Sequence, residues 1–549
     1  MDLPQRRKIE ILVAILLGLF LAALDQTIVG TALPRIVGEL RGSNELYTWV
    51  ITIYLLSSTI TGVFYGKLSD LYGRRRMLLI GVFLFLVGSA LSGLSGSMEQ
   101  LILFRGIQGL GAGALFPISL AVIGDMFTPA ERGKYQGLFG ATFGVAAIIG
   151  PLLGGFLTDS VSWHWIFYVN LPIGAVTLYI IYRYLPTVRG EGRIRQLDFL
   201  GAAVFTVAIS FFLVGLTFKG VIDPGTGATY DWNSPVVGGL IAAGLLVGAL
   251  FVLIEARARQ PIIPLDLFRN RTYTFSMVAV FMASFGFFGS IIFLPRWFQF
   301  VRGVSPTESG LQVMALLIGV IASSIISGIV ISRTGRYKVI IVGALLVMAV
   351  GLFLMTGLRS DTELPILWAW MFVTGLGIGP TLAAFTIVVQ NAVPFDRLGV
   401  ATSNLTFFRQ IGGSVALAVV GTIFGQTFAR ELQPQLEATG VPAQFSGRLA
   451  EAALAQGGDV TAPGIDLAAS LRELLPAQAL PFVDAIVAAL YQSFSLAVAA
   501  TFWIGLAAAL VAAVVAVALP ELPLRGMVSR DEREAVGKSA GRAEILAAE

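Results

Sequence analysis

Three ionisable residues stand inside long apolar runs of this 549-residue chain: Asp25, Arg105 and Arg409. Such residues are costly in hydrocarbon and are read as functional by default. Asp25 lies in Leu24-Asp25-Gln26-Thr27 and is the only carboxylate well inside an apolar run. It is about 24 Å along a helix that starts near Ile9, at 1.5 Å per residue. A carboxyl group there can take up and release a proton; the other reading is a structural ion pair. Arg105, in Leu103-Phe104-Arg105-Gly106-Ile107-Gln108, falls at a similar depth. It can pair with Asp25 until substrate or a conformational change separates them, or it can snorkel to the outer interface. Arg409, in Phe407-Phe408-Arg409-Gln410, is about two turns in from one end of its run. It should face a cavity or a carboxylate, it stands with Asp25 and Arg105 as a proton-coupling candidate, and an ion lock with Asp25 is a weaker option. There is no Cys and one His, His164, so thiolate chemistry is excluded and His164 reads as a packing or surface residue.

The composition says what must position these groups. Hydrophobic residues make up 56% and charged residues 13%, against about 25% charged in soluble domains. Mean hydropathy is +0.82. This excludes most soluble enzymes, disordered scaffolds and nucleic-acid binders, and leaves a polytopic membrane protein. The 62 glycines suit close helix packing in a membrane. About 20 apolar residues cross the hydrocarbon, and fourteen segments meet that length: about 9–33, 46–66, 77–95, 100–123, 135–158, 165–186, 197–219, 235–255, 273–297, 309–331, 338–357, 365–390, 401–425 and 493–519. Their continuous apolar character predicts α-helices and excludes a β-barrel. The first run is too long for a removable signal peptide and is expected to span.

With the N-terminus inside, 26 of the 37 basic residues fall on the cytoplasmic side. The clusters are Arg6–Lys8, Lys67 with Arg74–Arg76, Arg183 to Arg195, Arg257 to Arg271, Arg333 to Lys338, and a tail with Arg525 to Arg542. Both termini are therefore expected in the cytoplasm. A long outer loop, 426–492, is expected to form short amphipathic helices.

The chain repeats itself. Gly66-Lys-Leu-Ser-Asp70-Leu-Tyr-Gly73-Arg74 returns as Gly328-Ile-Val-Ile-Ser332-Arg-Thr-Gly335-Arg336 at an offset of 262. Gly109-Leu-Gly-Ala-Gly113 matches Gly375-Leu-Gly-Ile-Gly379, and Pro129-Ala-Glu131-Arg132 matches Pro394-Phe-Asp396-Arg397. The predicted organisation is a six-helix half over 1–196, an inserted hairpin over 197–256, and a second half over 257–549 with a tail from 520. Both halves share one orientation, so an axis along the membrane normal relates them, as in transporters that rock around a central site.

Five stretches carry a family resemblance: Leu24 to Pro34, Gly66 to Arg75, Leu103 to Gly109, Gly144 to Gly155, and Trp163 to Pro172. With them the chain resembles the major facilitator superfamily, specifically its 14-helix drug:proton antiporter branch. The resemblance implies a proton-coupling role for Arg105 and an inner gate built from Gly66, Asp70, Gly73, Arg74 and Asp125. Here Leu71 replaces a residue that is often basic, and Ser332 stands at the second-half position of Asp70, so a one-sided latch is expected. The antiporter motif is Gly144, Gly150, Pro151, Gly154 and Gly155, which reads as a gate hinge or as plain packing glycines. Candidate cavity residues are Tyr54, Gln108, Phe143, Trp297, Phe298 and Gln390.

The expected function is proton-coupled export of amphipathic or lipophilic compounds. It would be driven by a proton gradient with no cofactor and no metal, by a monomer in a bacterial cytoplasmic membrane. Export of lipids or lipid-linked metabolites is the alternative, and membrane lipid and protons are the other expected partners. No acid lies inside the tenth span, and Glu308 is at its edge, which counts against divalent cationic drugs. A multipass enzyme would want clustered His, Asp or Glu, and an ATP-driven pump a phosphate-binding Gly-Lys loop; neither pattern is in the chain.

Overall fold

The structure is a computed structural model that describes residues 4–40, 44–187, 198–219, 221, 229–442, 446, 467–474 and 479–524. The basic residues from Arg189 to Arg195, most of the loop beyond Val441 and the tail from Arg525 lie outside the described residues. Among the described residues, fourteen helical segments are long and apolar enough to cross a membrane. They are α1 Gln5–Glu39, α2 Asn44–Tyr72, α3 Arg74–Ser92, α4 Met98–Met126 and α5 Pro129–Ser160. A single turn, Trp165–Tyr168, leads into α6 Asn170–Tyr184. Then come α7 Phe199–Phe218, α8 Val237–Glu255 and α9 Arg271–Val301. A short helix, Pro306–Gln312, precedes α10 Met314–Thr334. The last four are α11 Lys338–Met355, α12 Leu364–Ala392, α13 Leu398–Ala438 and α14 Val483–Val517.

Local signals set the helix ends. Ser97 caps α4 by accepting the Gln100 N–H, and Asn270 caps α9 by accepting Thr272 and Tyr273 N–H. Capping boxes start α5 at Thr128 and the Pro306–Gln312 helix at Ser305. Gly73 turns the chain between α2 and α3 with φ near +90°, which L side chains adopt rarely.

The expected span ends at 425 and start at 493 understate the last helix pair. The C-terminal part of α13 continues to Ala438, because Phe428, Leu432 and Leu436 make a buried stripe at i, i+4 and i+8. Phe428 meets Phe494 of α14 edge-on at 6.4 Å. The first turns of the 426–492 loop are therefore a continuation of α13. The hydrocarbon-length rule missed this because that stripe is amphipathic.

Large apolar side chains such as Phe83, Leu246 and Val514 are exposed around the bundle, as expected where lipid is the solvent. The first half has its own buried cores around Phe85, Leu115 and Phe167, and the second around Trp297, Leu345 and Phe385. The hairpin α7–α8 packs through Phe205 and Phe251 onto Val63 of α2 and Phe407 of α13. The halves meet with α5 against α10 and α12, and with α2 and α4 against α13. Glycines allow the α5–α10 contact. A Cβ on Gly133 would meet the Gly328 carbonyl, and one on Gly144 would meet Ile321.

Candidate functional site

Asp25 on α1 and Arg105 on α4 form an ion pair at 2.6 Å, both nearly inaccessible to solvent. Gln108, one turn after Arg105, closes a triangle. Its Oε1 accepts Arg105 Nη1 at 2.7 Å, and its Nε2 donates to Asp25 Oδ1 at 2.8 Å. Asn170, at the start of α6, donates from Nδ2 to Asp25 Oδ1 at 3.4 Å and to Ser89 Oγ at 3.1 Å. The Arg105 guanidinium lies over the Tyr54 ring at 4.1 Å, a cation–π contact. Arg105 is thus buried and does not snorkel. A carboxylate held by one cation and two amides is stable only with its partners in place, since a buried charge without its partner costs about 3–5 kcal/mol.

The gate residues come together at the opposite end of α2. Arg74 pairs with Asp70, and its Nε donates to Asp125 Oδ2 at 3.0 Å. Arg74 Nη1 also donates to Ser69 Oγ at 2.6 Å. Asp70 reaches further than the motif implies: its carboxylate accepts the N–H groups of Gly399 and Val400 at 3.1 and 3.0 Å. These are the first residues of α13, so Asp70 caps a helix of the other half. Gly66 and Gly399 permit the approach: a Cβ on Gly66 would run into Ser403, and one on Gly399 into the Asp70–Arg74 pair.

Ser332, at the repeat position of Asp70, accepts the Lys134 backbone N–H at 3.2 Å. A hydroxyl thus makes one cross-half bond where the carboxylate makes two. Beside it Gln136 Nε2 donates to Gln390 Oε1 at 2.7 Å, and Gln390 Nε2 to the Leu120 carbonyl at 3.0 Å.

Arg409 is about three turns into α13, one more than expected. Among the described residues it makes no ion pair, with Asp25 or any other acid, and its buried Nη2 has no hydrogen-bond partner. It lines a crevice with Val280, Ser284 and Phe287 of α9 and Thr381 and Leu382 of α12.

Several candidate cavity residues have other places. Tyr54 and Gln108 belong to the buried Asp25 cluster. Gln390 lies in the seam between the halves. Trp297 and Phe298 are wholly buried, and Trp297 Nε1 donates to Ser495 of α14 at 2.8 Å, so both pack the second half. Phe143 meets Phe287 across the halves at 5.7 Å, beside the Arg409 crevice. The motif glycines on α5 are contact points. Gly150 and Gly154 leave room for Thr27 and Thr31 of α1, Gly144 for Ile321 and Gly155 for Thr307. The helix stays continuous through Pro151. His164 stacks on Trp163 with ring centroids 3.7 Å apart.

Sequence reasoning missed Asn170, Ser89, Gln136 and Gly399 as parts of these clusters. Asn170 stood within the quoted Trp163–Pro172 stretch; the others carried no signal beyond a polar or small residue in an apolar helix.

Residues 15–417 match the family described as Major Facilitator Superfamily. The chain is 39% identical over 451 residues to the multidrug transporter protein MdtP of Bacillus subtilis, covering 81% of each. It is 32% identical over 507 residues to the tetracenomycin C resistance and export protein of Streptomyces glaucescens, covering 92% of this chain and 90% of that one. The solved structure of XylE, a proton:xylose symporter, shares the fold with a TM-score of 0.58 at 14% identity, over 93% of this chain and 96% of that one. Fourteen candidate spans among the described residues, the family match and this breadth of similarity lead to one conclusion: the chain belongs to the Major Facilitator Superfamily.

Proposed function

We propose that the chain is a proton-coupled exporter of amphipathic, lipophilic compounds. It works by alternating access in a bacterial cytoplasmic membrane with its basic face inward. The observation that carries this reading is the buried Asp25–Arg105–Gln108 triangle, about 30 Å along α4 from Asp125 of the Asp70–Arg74 cluster. Protonation of Asp25 removes the charge that Arg105 holds, frees the Arg105 and Gln108 donors, and lets α1 and α4 shift relative to each other. Return of the proton to water restores the pair. The names of the similar proteins, a multidrug transporter and a tetracenomycin C resistance and export protein, support drug export.

Arg409 sets the electrostatics of the substrate route. It is the only charged residue lining its crevice among the described residues. An unpartnered guanidinium there disfavours cations and favours neutral or anionic head groups.

The test is reconstituted transport under an imposed pH gradient, with neutral, anionic and cationic dyes and a labelled lipid, comparing wild type with Asp25→Asn. Gradient-driven dye movement that Asp25→Asn abolishes supports the reading. Unchanged proton-driven movement in Asp25→Asn overturns it, and movement of the lipid alone replaces the cargo.

A further inference from the structure

The inserted hairpin begins and ends on carboxylates that face each other. Asp198 precedes α7, and its Oδ1 accepts the Gly201 N–H at 2.8 Å. Glu255 ends α8, and its Oε1 accepts the Ile263 N–H at 2.6 Å. The second oxygen of each, Asp198 Oδ2 and Glu255 Oε2, is buried and has no hydrogen-bond partner. Glu255 as a whole is only 2% exposed.

Both oxygens converge on one spot. A Cβ on Gly201 would stand 2.5 Å from Asp198 Oδ2 and 3.0 Å from Glu255 Oε2. Glycine leaves that spot open. The charged group that faces the pair from a neighbouring helix is Lys67 of α2, which also faces Asp70, Asp396 and Arg397. Among the described residues neither carboxylate makes an ion pair.

Two buried like charges at this range repel, and each unpaired acceptor carries a desolvation penalty of about 1–3 kcal/mol. One proton removes both costs: the O–H of one carboxyl donates to the free oxygen of the other. We propose that Asp198 and Glu255 bind a single shared proton, a protonation site separate from Asp25, at the end of the hairpin beside the gate. When the proton leaves to water, both groups become carboxylates and repel, and Lys67, one turn from Asp70, gains a stronger anion to face. The hairpin thereby senses pH at the gate. This holds whatever compound the protein moves.

Infrared difference spectroscopy of the purified full chain in lipid nanodiscs, titrated with pH, tests it through the protonated-carboxyl C=O band. Wild type and Asp25→Asn are expected to show a band from the pair. Glu255→Gln, which keeps an acceptor for Ile263, and Asp198→Asn are each expected to lose it. A band that survives in both hairpin variants, that is absent from wild type at every pH, or that sodium ions displace overturns the proposal. Loss of antiport in Asp25→Asn bears only on the transport reading, so the two can fail separately.

Discussion

Asp70, in the first half of the chain, accepts the backbone N–H of Gly399, in the second, at 3.1 Å across 329 residues. Ser332 and Lys134 make the mirror contact at 3.2 Å. The internal repeat thus places a side-chain acceptor of each half against the first turns of a helix in the other. The two copies differ in strength because one acceptor is a carboxylate and the other a hydroxyl.

Asp70→Asn keeps the size of the side chain and loses its charge. Hydrogen bonds to a charged group contribute about 1.5–3 kcal/mol, so the closed gate should weaken by about ten- to a hundredfold. The chain has no native cysteine. Spin labels on Arg76→Cys and Phe395→Cys, exposed positions in opposite halves, should therefore report a new longer distance by double electron–electron resonance. Ser332→Ala should shift the same distribution less, because only one neutral bond is lost.

Asp25→Asn should abolish gradient-driven accumulation while substrate still equilibrates downhill, because an amide cannot carry the proton. Arg105→Ala leaves the Asp25 carboxyl group buried with only amide partners. It should cost about 3–5 kcal/mol of stability, read as a lower melting temperature in detergent. Restoring the balance with Asp25→Asn in the same chain should recover most of that loss. A double variant as unstable as the sum of the singles would contradict the pairing.

Gly150→Ala drives a methyl group into Thr27 Oγ1 at the α1–α5 contact. Overpacking of this kind costs about 1–3 kcal/mol. Thr27→Ala removes the clashing oxygen, so the double variant should melt closer to wild type than Gly150→Ala does. No rescue would indicate that Gly150 serves a bend in α5 and not this contact.

Arg409→Gln should change which compounds are moved while leaving proton coupling in place. The ratio of anionic to cationic dye efflux should fall about tenfold or more, on the scale of one charge-assisted hydrogen bond. Arg409→Lys should preserve the ratio. An unaltered ratio in Arg409→Gln would mean that substrate does not pass this side chain.

The sequence alone determined the solvent and the number of spans, and it singled out Asp25, Arg105, Asp70 and Arg74 as charges that need partners. Each of these is written in local composition: an apolar run must be a helix in lipid, and a charge inside one must have a purpose. Asp25 and Arg105 were legible as a pair because both stand at a similar depth and no other carboxylate lies well inside an apolar run. Only the tertiary structure decided which partners those charges have. Gln108 and Asn170 reach Asp25 because α4 and α6 turn those faces toward α1, and a polar residue in an apolar helix carries no address. Arg409 could have met Asp25 by its chemistry, but it lies in the other half facing α9 and α12. Gly399, one glycine among 62, matters because α2 crosses α13 there with no room for a side chain. Helix rotation and crossing point are properties of packing between distant segments, and no single segment encodes them.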